Sequence, residues 1–216
     1  MINYLFSGID KEKGFDERQT SYLKKDIKNN CNIVFIASLF DNFEKNDFQQ
    51  NKVKTSFENI GIKFNKTFII DNRVKKDEAK DIINNSDVIF LLGGSPELQM
   101  KSINDYDLAS TIKEFEGIII GVSAGAMNQT KRVIYKDEFK NNEIISYDGL
   151  SFYEESIYPH LDFKNIEFLK ELFEVSKYQK LVALSNDSFI RIENKSVEYI
   201  GDYYVVDNGG IINEDK

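Results

Sequence analysis

An apolar, β-branched run that stops at a glycine is the feature that most limits how this chain can fold. The chain reads IIIGVSAG over residues 118–125, which places a G-x-S-x-G motif between a predicted strand and a predicted helix. In a sharp strand-to-helix turn the backbone passes so close to its neighbours that only glycine fits on either side of the serine. The serine is then strained, with its hydroxyl exposed near the positive end of the next helix. We therefore predict that Ser123 is a nucleophile.

Short apolar runs alternate with amphipathic helical segments through the first half of the chain. The predicted strands cover about residues 3–7, 32–37, 62–70 and 87–92 and a segment starting at 117, and the predicted helices about 16–29, 43–59, 77–85, 96–102 and 108–115. This order predicts a mostly parallel sheet with helices on both faces. Ligands of such sheets bind beyond the carboxyl ends of the strands. Two of those ends carry glycines, at Gly93-Gly94 and in the serine motif, so a site is expected there.

The pattern changes after Ser123. We predict a strand at 133–135, a polar acidic stretch to 149, a loop around 158–160, a helix capped by Asp162 and ending near 176, and short strands at 181–185, 188–193, 197–200 and 203–206. Turn residues separate these last strands, which predicts an antiparallel meander at one edge of the sheet. We expect one α/β domain over residues 1–216.

Composition excludes several classes of function. The net charge of −8 argues against a nucleic-acid partner, because phosphate binding needs clustered Lys and Arg. The single cysteine, Cys31, forms no intrachain disulfide, and neither a signal peptide nor a membrane-spanning run of ~18 apolar residues is found. We expect a cytoplasmic protein with no membrane partner. One His and one Cys cannot supply a zinc site, and phosphate- and dinucleotide-binding motifs are missing, so we expect no metal or cofactor.

The candidate base for Ser123 is His160, because the chain contains one histidine. A lone histidine is more often structural than catalytic, but the serine motif upstream favours the catalytic interpretation. Its imidazole would take the Ser123 proton and return it to the leaving group. Spacing does not choose the orienting acid among the carboxylates between the two residues, which are Asp137, Glu138, Glu143, Asp148, Glu154 and Glu155.

The motif leaves one other class of serine hydrolase open. Patatin-like lipases pair the serine of G-x-S-x-G with an aspartate that precedes a glycine, and Asp148-Gly149 has that form. These lipases usually carry the aspartate much further downstream, together with a glycine-rich loop near the N-terminus that this chain lacks.

An oxyanion hole needs two backbone N–H groups. The amide of Ala124, directly after the nucleophile, is one candidate, and Gly94 at the neighbouring strand end is the other. Taken alone, Gly93-Gly94 is more typical of a plain turn before a helix, and it becomes informative together with the serine motif.

Together these residues resemble the serine peptidase family that includes dipeptidase E (aspartyl dipeptidase) and cyanophycinase. The resemblance rests on LLGGSP at 91–96, GVSAGA at 121–126, and Gly149-Leu150 leading to Pro159-His160. It implies a three-layer α/β sandwich with a mostly parallel sheet, similar to class I glutamine amidotransferases with serine replacing their cysteine. It also implies hydrolysis of short peptides through an acyl-enzyme.

The resemblance assigns roles residue by residue. They are Ser123 as nucleophile, His160 as base, Glu138 or alternatively Asp137 as acid, Gly94 and Ala124 as oxyanion donors, and Gly93 and Ser95 as substrate-binding residues. Many members carry Asn where Ser95 stands. The Asp-X and β-aspartyl substrates of the family need a donor-rich subsite, for which the candidates are Lys131, Arg132 and Arg191.

Two other functions remain open from the sequence. One is an esterase of small acyl substrates that uses the same triad, and the other is a catalytically silent member that binds a small peptide. In each case we expect a small-molecule or peptide partner, and either a monomer or a homodimer.

Overall fold

The computed structural model describes residues 1–137 and 140–212. The strands and helices follow in chain order. They are β1 (Ile2–Phe6), α1 (Glu17–Asp26), β2 (Asn32–Ile36), α2 (Phe43–Asn59), β3 (Lys66–Ile70), α3 (Lys76–Asn84), β4 (Val88–Leu91), α4 (Pro96–Asp105), α5 (Ala109–Lys113), β5 (Ile118–Val122), α6 (Ala124–Met127), β6 (Arg132–Asp137), β7 (Glu143–Asp148), β8 (Ser156–Leu161), α7 (Ile166–Val175), β9 (Leu181–Ser185), β10 (Phe189–Glu193), β11 (Ser196–Ile200), β12 (Tyr203–Asp207) and β13 (Gly210–Ile212).

The main sheet has seven strands in the order β11-β10-β1-β5-β4-β2-β3. The five strands from β1 to β3 run parallel, and β10 and β11 add an antiparallel edge beside β1. This confirms the mostly parallel sheet expected from the alternation of strands and helices. In the centre Phe6 lies opposite Val122, and Leu91 lies opposite Gly121. The carboxyl ends of β1, β5 and β4 are therefore neighbours, and the chain segments that leave them meet at one edge.

Alternate residues of the central strands enter two separate cores. Phe90 and Ile120 pack with residues of α1 and α2 on one face, while Ile89 and Ile119 pack with residues of α3, α4 and α5 on the other. Because both faces are covered, these strands are continuously apolar rather than alternating. None of the helices in the described ranges has the length and apolar character that a membrane crossing requires.

A second sheet, in the order β13-β12-β9-β8, packs against β1 and β10. The strands predicted after residue 181 are present, but β10 and β11 extend the main sheet while β9 and β12 belong to the second one. The loop predicted around residues 158–160 is wrong, since these residues lie in β8. Pro159 is compatible with a strand there because β8 lies at the edge of its sheet, where a missing N–H costs little.

The structure adds one element and moves another after residue 137. The polar acidic stretch, to which the sequence assigned no strand or helix, contains β7, which pairs with β6 as an antiparallel hairpin. The helix predicted to begin after Asp162 begins at Ile166, and the side chain of Asn165 caps it by accepting from the Phe168 N–H. Both segments are rich in polar residues, and tertiary contacts rather than local pattern decide their structure.

Steric crowding explains both glycines of the serine motif. A methyl group at Gly125 would lie 2.2 Å from the carbonyl oxygen of Leu91 in β4, and one at Gly121 would lie 2.3 Å from the carbonyl oxygen of Gly125. These distances are far below van der Waals contact, and the atoms in the way are backbone atoms that cannot rotate aside. The turn from β5 into α6 is therefore pressed against the neighbouring strand.

We expect Gly125→Ala to lower the free energy of unfolding by about 1–3 kcal/mol, the usual cost of overpacking a tight interior site. Gly210→Ala is the matched control, because a methyl group at Gly210 meets no atom within 4 Å. Urea denaturation of both variants and the parent measures the difference. Equal unfolding midpoints for Gly125→Ala and Gly210→Ala would contradict the steric account of the turn.

Candidate active site

Ser123 lies between β5 and α6 in a backbone conformation that serine rarely adopts. Its φ is 52° and its ψ is −110°. The Ser123 N–H donates to the carbonyl oxygen of Phe6 at 2.9 Å, which ties the turn to the end of β1. Such strained conformations persist only where surrounding packing enforces them. Here the enforcing contact is the close approach of the flanking glycines to β4 and α6.

His160 reaches Ser123 from the second sheet. The distance from His160 Nε2 to Ser123 Oγ is 2.8 Å, which is a hydrogen bond. The backbone at His160 has a positive φ of 66°, and the pairing of β8 with β9 shifts register between Tyr158 and Leu161. This irregularity turns the imidazole toward the main sheet, in agreement with the role of bulges in redirecting side chains.

A buried serine fixes the backbone of the histidine. The His160 N–H donates to Ser7 Oγ at 2.8 Å, and Ser7 Oγ donates to the carbonyl oxygen of Leu184 at 3.0 Å. Ser7 directly follows β1 and is fully buried. The position of the imidazole therefore depends on the ends of three strands, β1, β8 and β9.

The other ring nitrogen of His160 contacts Asn186, a residue that the sequence did not single out. The distance from His160 Nδ1 to Asn186 Oδ1 is 2.7 Å. Asn186 directly follows β9, and from the sequence it was assigned only to a turn between strands. An amide oxygen accepts but cannot donate, so this contact requires the proton on Nδ1 and leaves the Nε2 lone pair facing the Ser123 hydroxyl.

The predicted acids occupy other positions or lie outside the described residues. Glu138 lies outside the described residues. Asp137 is the last residue of β6, opposite Glu143 in the hairpin. Asp148, the candidate of the patatin-like alternative, forms an ion pair with Arg132 at 2.8 Å on the same hairpin. The group that contacts His160 Nδ1 is thus an amide, and a role for Glu138 or Asp137 stays a prediction.

The candidate oxyanion donors have free N–H groups. Within residues 1–137 and 140–212, neither the Gly94 N–H nor the Ala124 N–H donates to a protein acceptor. A methyl group at Gly93 would lie 3.8 Å from Ser123 Cβ, so Gly93 lies against Ser123. The Ser95 hydroxyl caps α4 by accepting from the Leu98 N–H at 3.4 Å, and its role in substrate binding stays a prediction.

An open cavity of about 1110 Å³ adjoins Ser123 and His160. Its wall is formed by the segment after β1, one face of α2, the ends of β4 and β5, and the segment after β9. The residues that line it are Gly8, Ile9, Asp10, Lys11, Glu12, Gly14, Asp16, Gln19, Phe48, Gln49, Lys52, Val53, Ser56, Phe90, Leu92, Gly93, Val122, Ser123, His160, Asn186 and Asp187. Helical spacing places Phe48 on the same apolar face of α2 as Val53 and Phe57, but its side chain is 66% exposed and borders this cavity.

The cavity wall carries charges of both signs. Lys11 and Lys52 are its cations, and neither forms an ion pair with the part of the chain that the structure describes. Hydrogen bonds from the backbone N–H groups of Lys13 and Glu12 hold the pKa of Asp10 below its usual range, so Asp10 stays ionised. Asp187 forms an ion pair with Arg18. The wall can therefore meet either a cationic or an anionic group.

The cations predicted for a substrate subsite lie elsewhere. Lys131 pairs with Glu154 and Arg132 pairs with Asp148, both away from the cavity wall. Arg191 is buried and donates to Asp26 at 2.7 Å. Within the described residues, no group of three or more His, Cys, Asp or Glu side chains is arranged to hold a metal ion.

Solved structures of similar fold are described as peptidases. A protein described as a candidate peptidase E from Listeria monocytogenes EGD-e aligns with a TM-score of 0.69 and 19% identity, over 92% of this chain and 97% of that one. A peptidase from an acI-B1 Actinobacterium aligns with a TM-score of 0.66 and 15% identity, over 96% of this chain and 91% of that one. At these identities the likeness shows the fold. A comparison with curated protein sequences finds no match.

The family follows from the sequence of the whole domain rather than from the fold alone. The model of peptidase family S51 matches residues 5–200, a range that includes the serine motif, the diglycine segment, His160 and Asn186. This range covers far more than half of the chain, and the chain therefore belongs to peptidase family S51 and is a peptidase.

Proposed function

We propose that the chain hydrolyses short peptides through an acyl-enzyme formed on Ser123, with His160 as general base and Asn186 as the group that orients it. The observation that carries this proposal is the continuous chain of hydrogen bonds from Ser123 Oγ to His160 and on to Asn186. Serine is a weak nucleophile unless a base within hydrogen-bond reach takes its proton. The 2.8 Å distance from Nε2 to Oγ satisfies that requirement.

In the acylation step Ser123 Oγ attacks the carbonyl carbon of the scissile peptide bond while its proton passes to His160 Nε2. The imidazolium keeps its hydrogen bond from Nδ1–H to Asn186 Oδ1. As the tetrahedral intermediate collapses, the C–N bond breaks and the Nε2 proton passes to the leaving amine. The acyl group remains on Ser123 as an ester.

In the deacylation step a water molecule takes the place of the amine. His160 Nε2 accepts a proton from this water as the water oxygen attacks the ester carbon, and the proton then returns to Ser123 Oγ as the acid product leaves. The free N–H groups of Gly94 and Ala124 would stabilise the oxyanion in both steps. Loss of one such donor typically lowers kcat about 10²- to 10³-fold.

The cavity supports a peptide as the substrate. Its volume of about 1110 Å³ lies just above the usual range of small-ligand sites and admits more than one amino-acid residue. Apolar groups such as Phe90 and Leu92 form part of the wall, and charged groups of both signs lie beside them. If Asp-X dipeptides are substrates, Lys11 and Lys52 are the wall cations available to the aspartate or to the terminal carboxylate.

We expect Ser123→Ala to abolish peptide hydrolysis with the fold unchanged, because the methyl side chain keeps the packing and removes the nucleophile. Turnover of Asp-Leu, its neutral isostere Asn-Leu and Lys-Leu by the parent and the variant measures this loss. A fluorophosphonate probe gives a second readout, since labelling should need both Ser123 and His160.

The same measurements separate this proposal from its alternatives. Faster turnover of p-nitrophenyl esters than of any peptide would favour an esterase. A parent that neither labels nor turns over would favour a silent binding protein. Unchanged peptide hydrolysis in Ser123→Ala would contradict the mechanism itself.

We expect Asn186→Leu, which keeps the side-chain size but removes the acceptor, to lower kcat/KM by about 10²- to 10⁴-fold. Rate losses of this size follow when a catalytic histidine is no longer held in its productive orientation. Asn186→Asp should restore the acceptor. Because a carboxylate favours the imidazolium, which cannot act as base, the acidic limb of its pH–rate profile should move to higher pH. Steady-state kinetics from pH 5 to 9 measure both effects. Parent-like kinetics for Asn186→Leu would remove Asn186 from the mechanism.

A further inference from the structure

The diglycine segment, Gly93-Gly94, follows β4 and carries the candidate oxyanion donor. Two glutamines, each on a different helix, donate hydrogen bonds to the backbone at its start. Gln99 of α4 donates from Nε2 to the carbonyl oxygen of Leu92 at 3.0 Å, and Gln49 of α2 donates from Nε2 to the carbonyl oxygen of Gly93 at 3.3 Å. Two consecutive peptide groups of one short segment therefore each accept a side-chain hydrogen bond. Gln99 is fully buried and also donates to the carbonyl oxygens of Ile36 and Ala37 at the end of β2, whereas Gln49 lines the cavity.

The contact with Gln49 bears on the direction of the Gly94 N–H. In a planar trans peptide the C=O of one residue and the N–H of the next point to opposite sides. A hydrogen bond that holds the Gly93 carbonyl toward α2 thus directs the Gly94 N–H away from α2. Glycine on both sides of this peptide gives it little intrinsic resistance to rotation, and Gly94 has a φ of 144°, a value that side chains rarely allow.

The amide of Gln49 has one orientation that fits its surroundings. Its Oε1 is buried and has no partner among the described residues, while its Nε2 faces the Gly93 oxygen. A swapped amide would place two acceptors against each other, which is unfavourable. Burial of an unsatisfied acceptor costs free energy, so the contact is maintained at some expense to stability.

The start of α2 is tied to the sheet just before Gln49. Asn46 Nδ2 donates to the carbonyl oxygen of Leu39 at 2.8 Å and to Asp71 Oδ2 at 3.1 Å, and Arg73 bridges Asp71 and Asp47. Asp71 and Asn46 are fully buried. The helix turn that carries Gln49 is therefore fixed relative to the strand ends.

From these contacts we infer that Gln49 is a positioning residue, which holds the Gly93–Gly94 peptide so that the Gly94 N–H is directed at the oxyanion. The inference rests on the proposed function, because it assigns Gln49 a task in the same reaction. Gln49 acts through the peptide group and not on the substrate. Its contribution should therefore appear in kcat, when charge develops on the carbonyl oxygen, and much less in KM.

The test compares Gln49→Met and Gln49→Glu with the parent, using steady-state hydrolysis of a peptide substrate. Gln49→Met removes the donor at nearly constant size, and we expect kcat to fall about 10- to 100-fold with little change in KM, less than the loss of a whole oxyanion donor. Gln49→Glu should show a pH-dependent loss. When ionised, its carboxylate repels the Gly93 oxygen, and when protonated, its O–H can donate to it.

The decisive quantity is the ratio of kcat for Gln49→Glu to kcat for the parent at the same pH, because pH effects that the two proteins share cancel in this ratio. We expect this ratio to rise at least several-fold as pH falls from about 8 to about 5, where a carboxyl beside an acceptor gains its proton. Gln50→Glu is the matched control, since Gln50 lies on the same helix but does not line the cavity. Its ratio should stay flat.

Several outcomes would contradict the proposed positioning role of Gln49. Parent-like kcat in Gln49→Met, or a pH-independent ratio in Gln49→Glu, overturns the inference and leaves the proposed function in place. A parent without Ser123-dependent turnover overturns the proposed function and the role of Gln49 with it. A variant that is merely misfolded gives a ratio that is low at every pH, which also contradicts the inference.

Discussion

The site depends on one close contact, that of Gly125 with the backbone of β4. A methyl group at this position would lie 2.2 Å from the Leu91 carbonyl oxygen, so position 125 has no room for a side chain. The same contact holds Ser123 at a positive φ and presents its hydroxyl at the edge where β1, β4 and β5 end. Strain in the serine backbone is offset by packing around it, as expected where a rigid scaffold enforces an unfavourable conformation. The reactive geometry is therefore present before any substrate binds.

The electrostatics of the histidine differ from those of a triad with a carboxylate. Asn186 is neutral and offers its oxygen to His160 Nδ1 at 2.7 Å, so it selects the tautomer without stabilising positive charge as strongly as an anion would. The histidine backbone is held separately, through Ser7 at the end of β1. His160 is thus oriented by two independent hydrogen bonds, and in the proposed mechanism geometry contributes more to this orientation than charge does. The proposed serine nucleophile with an amide partner would parallel the Cys-His-Asn arrangement of papain-like proteases.

The sequence predicted the central sheet well because its strands are apolar on both faces and glycines mark where several of them end. The sequence also named Ser123 from its motif and His160 as the single histidine, and the structure brings these two side chains into hydrogen-bond contact. The sequence did not name Asn186, since an asparagine after a strand is typical of a turn and its contact with His160 joins segments distant in the chain. Helical spacing groups Phe48 with the apolar face of α2, but it does not show that a cavity adjoins that face. Pro159 suggested a loop, and only the place of β8 at a sheet edge makes a strand acceptable.

The central claim is that Asn186 holds His160 with its proton on Nδ1, so that Nε2 is free to accept the proton of Ser123. Because the chain has a single histidine, ¹⁵N NMR of imidazole-labelled protein reports on this one ring without ambiguity. Measured at a pH where the ring is neutral, the spectrum should show a protonated Nδ1 and an unprotonated Nε2. A ring that carries its proton on Nε2 would contradict the account, since that nitrogen would then be unable to act as the base for Ser123.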